Sequence, residues 1–375
     1  MVVEMGVSLK SAALRVVVTT AFLLPAGSSW AEISIDELIR DARIVEGPVA
    51  MRDLPHWNGA HKLIISRVGD EVDAVRMLLP DAEFVIVNSE AEAIEHAGDV
   101  DAIIGLCSER LLAAAKSAVW VQIFSSGAER CVDVPAVASG QVVLTNMQKM
   151  SAPVIGEHAV AMTLALARRL PEYAKGMKHG AWMRSAEASA AMFPVSGRTM
   201  LVIGLGGIGT EAAERAAALG MRVIGTRNSS REGPSFVDYV GLSDELLELV
   251  GQADVIVNAL PLTNATRHLL DTEFFAATKK GALFINVGRG ATVDTDALTD
   301  AIRNGQISGA GLDVTDPEPL PANHPLWQFD NVIITPHVAS RGGERERHFV
   351  LLKENLRRFA AGERLLNVVD PERGY

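Results

Sequence analysis

The feature that most narrows the possible folds is an apolar run, Thr199-Met-Leu-Val-Ile203. It leads without a break into Gly204-Leu-Gly206-Gly-Ile-Gly209 and then into an alanine-rich helical stretch from Thr210 to Leu219. A glycine pattern alone says little, but strand, turn and helix in this order say a great deal. Gly204 permits a tight turn, Gly206 removes a Cβ where a pyrophosphate must approach, and Gly209 lets helix and strand pack closely. The amides at the helix start then hold the anion. A dinucleotide site is therefore expected at Gly204, Gly206, Gly207, Ile208 and Gly209. Leu260, Val287 and Gly288, which follow later strand-like runs, are expected as further contacts.

The same rhythm extends along most of the chain. Strand-like runs recur at Lys62 to Ser66, Glu83 to Val87, Ala102 to Leu106, Val121 to Phe124 and Val142 to Thr145, with helical patterns between them. A long helical pattern follows from Ala152 to Arg169, with Val154, Ala159, Met162 and Ala165 spaced to line one side, and it connects two halves. Six further runs follow: Thr199 to Ile203, Arg222 to Gly225, Val255 to Asn258, Ala282 to Asn286, Ala310 to Val314 and Val332 to Thr335. Alternating strands and helices predict parallel sheets covered on both faces. The expectation is an α/β chain of two doubly wound parallel-sheet domains, which suits 375 residues. The helical tail from Glu344 to Ala361 should return to the first domain. That domain then comprises residues 32–150 plus 338–375, and the dinucleotide-binding domain 151–337. Residues 32–60 show no clear period and read as an N-terminal extension.

Composition removes several classes of function. Apolar residues make up 48% and charged residues 22% of the chain, enough for a sizeable aliphatic core and incompatible with low-complexity sequence. The formal charge of -11 repels nucleic acid and anionic lipid over most of the surface, so no nucleic-acid partner is expected and any anion must be held locally. Two cysteines, Cys107 and Cys131, cannot build a disulfide framework and lack metal-ligand companions at short spacing, so no metal is expected. They are expected to be free and buried, the commoner state, although in an oxidising compartment they could pair.

The first 31 residues have the anatomy of a secretory signal. Lys10 and Arg15 precede the apolar stretch Val16 to Leu24, then Pro25, a Gly-Ser-Ser turn and Ser29-Trp30-Ala31, with small residues at both cleavage-site positions. The stretch is shorter than the roughly 20 residues a membrane-spanning helix needs. Export to a periplasm-like compartment, with no stable membrane insertion after cleavage, is the expectation. A misassigned start codon or an ordinary buried helix, and hence a cytoplasmic protein, is the alternative.

The strand after the glycine turn normally ends in an acid that binds the ribose hydroxyls of NAD. Here Met221-Arg-Val-Ile-Gly-Thr226 is followed by Arg227, Asn228, Ser229 and Ser230. Arg227 with nearby Arg231 and the hydroxyl and amide donors would accept a 2′-phosphate, so NADP is favoured over NAD. A merely solvated Arg227 would leave the choice open.

Three more segments sit where predicted strands end: Asn286-Val-Gly-Arg289-Gly, Gly311-Leu-Asp313-Val-Thr-Asp-Pro-Glu318-Pro319 and Thr335-Pro-His337. Open α/β sheets place their sites there. Reduction of a 2-oxo acid needs a cation for its carboxylate and carbonyl, a proton donor for the developing alkoxide and a hydride. These segments supply the first two. From about residue 60 to the end the sequence resembles the D-isomer-specific 2-hydroxyacid dehydrogenases, in particular the glyoxylate and hydroxypyruvate reductase branch.

Carried over by motif, the resemblance implies that Arg289 orients substrate, Glu318 is the acid partner and His337 is the general acid/base. It implies a contact from Asp313 to the nicotinamide carboxamide, and a grip on the substrate carboxylate by the Ser125-Ser-Gly127-Ala128 loop. A Rossmann domain inserted in a flavodoxin-like substrate domain, and a homodimer formed through the 152–169 helix, are implied as well. Thr315 departs from the family's usual aromatic without touching the chemistry. Glu318 is expected to accept a hydrogen bond from His337 and favour its charged form. Glu157-His158, Met147, Met150 and Met162 read as structural, and Asp316 as a surface residue. A dinucleotide-responsive binding protein, such as a corepressor, is the alternative from another class, because such proteins share this fold and even the catalytic trio.

Overall fold

The computed structural model describes residues 33–66, 72–182, 191–228, 230–342 and 344–374. The expected leader and Ser229 lie outside the described residues. Fourteen strands are formed among these residues: β1 Glu46–Ala50, β2 Lys62–Ile65, β3 Glu83–Ile86, β4 Ala102–Ile104, β5 Trp120–Gln122, β6 Val143–Thr145, β7 Thr199–Ile203, β8 Arg222–Thr226, β9 Tyr239–Gly241, β10 Val255–Asn258, β11 Ala282–Asn286, β12 Ile307–Leu312, β13 Val332–Ile334 and β14 Arg364–Leu366. Four helices matter for the site: α1 Ile35–Asp41, α2 Ala152–Ala167, α3 Gly207–Ala218 and α4 Glu344–Ala360.

Two parallel sheets result, ordered β3-β2-β4-β5-β6 and β13-β12-β11-β10-β7-β8-β9. Nearly every residue of the inner strands is buried, as in Val255–Asn258 and Ala282–Asn286, because helices cover both faces and leave no solvent side to alternate toward. In the larger sheet β7 lies between β10 and β8. The crossover therefore changes direction beside β7, and ligands bind at such a switch point.

All eleven strand-like runs form strands, with ends shifted by up to three residues, but the count of six in the second sheet was one short. Tyr239–Gly241 adds a seventh at the edge, parallel to β8. Three residues with one buried valine carry too little pattern to be read as a strand. Residues 32–60 are not a featureless extension. Ser34 caps α1 in a reciprocal box with Glu37, which satisfies helix-end amides, and β1 pairs antiparallel with β14. The tail is accordingly a helix followed by a strand. Pairing across more than 300 residues leaves no local signature.

Leu351, Leu352, Leu356 and Phe359 of α4 are buried in one cluster with Leu63 and Ile65 of β2 and Trp120 of β5. Trp120 is fully buried; its ring packs on Phe359 at 5.0 Å and its indole N–H donates to Thr145 Oγ1 at 2.8 Å. Asn355 on α4 donates to Gln122 Oε1 at 3.2 Å. The C-terminal helix thus belongs to the first sheet. On α2 the fully covered face runs through Ile155, Ala159, Met162 and Leu166, whereas Val154 and Ala165 are only partly buried. A helix apolar on nearly every side gives periodicity little to discriminate. Met147 and Met150 are fully buried packing residues.

The cysteines are not free. Cys107 and Cys131 form a disulfide with Cα atoms 5.9 Å apart, a normal spacing for a bridge. Twenty-four residues apart in the chain, they meet because the loops after β4 and β5 leave adjacent strands on the same edge of the sheet.

Candidate active site

The carboxyl ends of β7, β10 and β11 meet around the glycine turn. Gly204 has φ +92°, a backbone that L side chains rarely adopt. A Cβ there would lie 3.2 Å from Ala259 O and 3.3 Å from Leu260 Cδ2, and one on Gly288 would lie 2.7 Å from Leu260 O. Leu260 and Gly288 therefore stand beside the turn. A Cβ on Gly209 would lie 2.9 Å from Val202 Cγ1, which accounts for close helix-strand packing, whereas one on Gly206 would meet no atom of the described residues within 4 Å. The first intrahelical bond of α3 runs from Thr210 N to Gly206 O, so the amides of Gly207, Ile208 and Gly209 lie in the first turn, where no intrahelical acceptor exists. Arg227 follows β8, and its buried Nε has no hydrogen-bond partner among the described residues. Such an orphan, with the exposed Asn228 beside it, suits a bound anion. The residues present fit a dinucleotide.

Arg231 is differently placed from the sequence expectation. Its guanidinium is already engaged with Glu245, at 2.8 Å, and with Tyr239 Oη, at 2.9 Å. The Arg231 contact, with help from the Leu242 amide and Tyr239, holds the Glu245 carboxyl down at about 2. Arg231 is therefore not a spare cation beside Arg227.

A buried amide pair frames the next loops. Asn258 Nδ2 donates to Asn286 Oδ1 at 3.0 Å and to Thr292 Oγ1 at 2.8 Å. The amide oxygens of these asparagines accept from Leu260 N and Gly288 N. Full satisfaction makes such a network rigid. Asn258 was missed because a polar residue ending a strand-like run has no distinguishing pattern.

The segments that carry Glu318 and His337 meet at the end of the larger sheet. His337 Nδ1 lies 2.7 Å from Glu318 Oε1, and the His337 amide donates to Asp313 O at 2.8 Å. The backbone at His337 is left-handed, with φ +52°; a non-glycine residue held there is an uncommon, strained feature that often marks a functional position. Asp313 is buried, and its carboxylate accepts from Thr335 Oγ1 at 2.6 Å, Val338 N at 2.9 Å and Ala339 N at 3.1 Å. It therefore shapes the His337 loop itself, with about one of four acceptor positions left for another partner. The loop carrying Arg289 abuts this segment, since a Cβ on Gly290 would sit 2.9 Å from Asp316 N and still closer to Thr315 O.

Arg289 reaches the loop after β5. Its Nε donates to Glu129 Oε1 at 2.7 Å and its Nη1 to Gly288 O at 2.9 Å. A Cβ on Gly127 would strike Arg289 Nη2 and the Glu129 carboxylate, so only glycine allows this approach. Ala128 is buried, and its carbonyl accepts from Cys131 N and Val132 N. Glu129 was missed; its partner is 160 residues away in the chain. His158 contacts Thr335 Oγ1 at 3.1 Å, and Asp316 contacts His268 at 3.3 Å on the surface, both consistent with structural parts.

A glycine turn open to a dinucleotide, with a carboxylate-imidazole pair and an arginine at the same sheet edge, defines a nicotinamide-dependent oxidoreductase. Residues 160–339 match the family model of the D-isomer specific 2-hydroxyacid dehydrogenase NAD-binding domain. The chain is 33% identical to a glyoxylate reductase of Korarchaeum cryptofilum, over 76% of this chain and 87% of that protein. An uncharacterized protein from the proB 3′ region of Corynebacterium melassecola is 43% identical over 182 residues, which cover 48% of this chain and 59% of that one. The crystal structure of a D-isomer specific 2-hydroxyacid dehydrogenase from Xanthobacter autotrophicus Py2, in complex with NADPH and MES, superposes with TM-score 0.71 at 28% identity, covering 85% of this chain and all of that one. The chain belongs to the D-isomer specific 2-hydroxyacid dehydrogenase family. It is an NAD(P)-dependent 2-hydroxyacid oxidoreductase.

Proposed function

We propose that this enzyme reduces glyoxylate, hydroxypyruvate or a similar small 2-oxo acid, with NADPH preferred to NADH. The observation that carries the reading is the 2.7 Å contact of His337 with Glu318 at the edge of the sheet that bears the glycine turn. The glycine-turn amides, Arg227, Asn228, Leu260, Val287, Gly288 and Asp313 would hold the dinucleotide, which when bound supplies the hydride. Arg289 and the Gly127-Ala128 loop orient the substrate carboxylate, and Arg289 polarises the carbonyl. With Nδ1–H donated to Glu318, His337 presents its other nitrogen to the alkoxide oxygen as proton donor. Loss of nicotinamide absorbance with a panel of 2-oxo acids and both cofactors tests this. Silence across the panel, with tight cofactor binding retained, would favour a dinucleotide-responsive binding protein instead.

The NADP preference rests on the missing acid and the orphaned Arg227 Nε; the Xanthobacter relative is described with NADPH. Charge-assisted hydrogen bonds contribute about 1.5–3 kcal/mol, so Arg227→Asp should shift the NADPH-to-NADH ratio of kcat/KM by about 10- to 100-fold toward NADH. An unchanged ratio would dismiss the assignment.

Export and cleavage after Ala31 are part of the same proposal. The Cys107–Cys131 bridge supports it, since disulfides persist in oxidising compartments. Fractionation with N-terminal sequencing tests it; an intact Met1 in the cytosol would remove it. The bridge anchors the loop that carries Gly127 and Ala128. Closing a loop of this size contributes about 3 kcal/mol, so Cys107→Ser should lower the denaturant midpoint and raise KM for the 2-oxo acid, while an unchanged midpoint would mean that the bridge is absent in solution. We also propose a homodimer covering α2 and the exposed Leu170, Met177 and Trp182 beyond it, which light scattering would verify, and the domain division 32–150 plus 338–375 and 151–337.

A further inference from the structure

The Arg289 guanidinium, proposed above to receive the substrate carboxylate, already faces a carboxylate of its own chain. Glu129 Oε1 accepts from Arg289 Nε at 2.7 Å, and both side chains are about 30% exposed, against the Gly127 backbone. Nε is taken by Glu129 and one Nη1 proton by Gly288 O. Of the five N–H donors of a guanidinium, three have no acceptor among the described residues.

We infer that Glu129 sets which 2-oxo acids this site accepts. An incoming carboxylate meets both the guanidinium and the negative charge that neutralises it, so a 2-oxo acid with nothing to offer Glu129 binds weakly or must displace it. An ionised carboxylate only accepts hydrogen bonds. A 2-oxo acid with a hydroxyl on the carbon next to the carbonyl turns Glu129 from a competitor into a partner, because that hydroxyl donates to the carboxylate while the acid's own carboxylate takes the free Nη edge. Sites built to hydrogen-bond a substrate hydroxyl discriminate strongly against analogues that lack it. With Glu129 partly open to water the effect is smaller, about tenfold.

The inference rests on the reductase reading, and the test separates the two. Hydroxypyruvate and pyruvate differ by that one hydroxyl. Steady-state kinetics with NADPH on wild type, Glu129→Gln and Glu129→Ala should show wild type favouring hydroxypyruvate. In Glu129→Ala, KM for pyruvate should fall about tenfold with kcat within threefold, and the hydroxypyruvate preference should fall by a similar factor; Glu129→Gln, isosteric but uncharged, should lie between. Calorimetric titration of pyruvate into the enzyme with NADP⁺, a combination that cannot turn over, should show the same tightening in Glu129→Ala. A preference unchanged within twofold would overturn the inference. So would a rise in KM for both acids with a fall in kcat, which would make Glu129 only a support that orients Arg289. Should wild type reduce no acid while Glu129→Ala still binds pyruvate more tightly, the reductase reading fails and the competition for Arg289 stands.

Discussion

His337→Asn is expected to lower kcat for 2-oxo acid reduction by about 10²- to 10⁴-fold, the usual cost of removing a positioned general acid. Asparagine is chosen because the backbone at this position is left-handed, φ +52°. Among non-glycine residues asparagine is one of the few enriched there, so the Asp313 carbonyl keeps the amide it accepts and the loop keeps its shape. Asparagine retains a polar neighbour for Glu318 but has no group that can release a proton near neutral pH. Rapid-mixing kinetics on the purified variant, with its thermal midpoint and NADPH affinity measured alongside, provide the check. A kcat within fivefold of wild type would mean that the proton comes from elsewhere, and the role given to the Glu318 contact would have to be abandoned.

The second large effect is expected for Arg289→Lys, with kcat/KM down about 10²- to 10³-fold, comparable with losing a preorganised donor at a developing negative charge. The charge is conserved, so the loss isolates geometry. A guanidinium can hold Glu129 through Nε and Gly288 O through Nη1 and still offer a planar edge to a carboxylate, whereas an ammonium is a point charge on a flexible stem. NADPH affinity should stay within about threefold, because Arg289 reaches toward the Gly127 loop rather than the glycine turn. If instead KM rose alone, with kcat unchanged, Arg289 would only bind the acid and would not polarise its carbonyl.

Much of this site could be read before any coordinates. The glycine turn, the Arg289 segment and the His337 segment each follow a strand, and their residue types at those spacings have few other uses. Strand–turn–helix continuity around Gly204 is a local property, encoded within about twenty residues. The buried strands of both sheets were legible for a related reason: near-continuous aliphatic runs are what a parallel sheet covered on both faces requires.

Other features had no local trace. Tyr239–Gly241 is a strand because β8 offers it an edge, and Glu46–Ala50 because Arg364–Leu366 returns beside it. Spacing could not tell whether Cys107 and Cys131 would come within bonding distance. Arg231 looked like a second phosphate ligand until Glu245 and Tyr239 were found to hold it.

Residue order alone settled the kind of sheet and the glycine turn and pointed to Arg289, Glu318 and His337 as the candidate trio, since each depends on neighbours a few positions apart or on side-chain chemistry that no folding changes. Folding in three dimensions chose the partners: Glu129 for Arg289, Asn286 for Asn258, Cys131 for Cys107. Such contacts join segments whose separation along the chain says nothing about distance in space, and only the packing of two sheets against their helices brings those loops to a common edge.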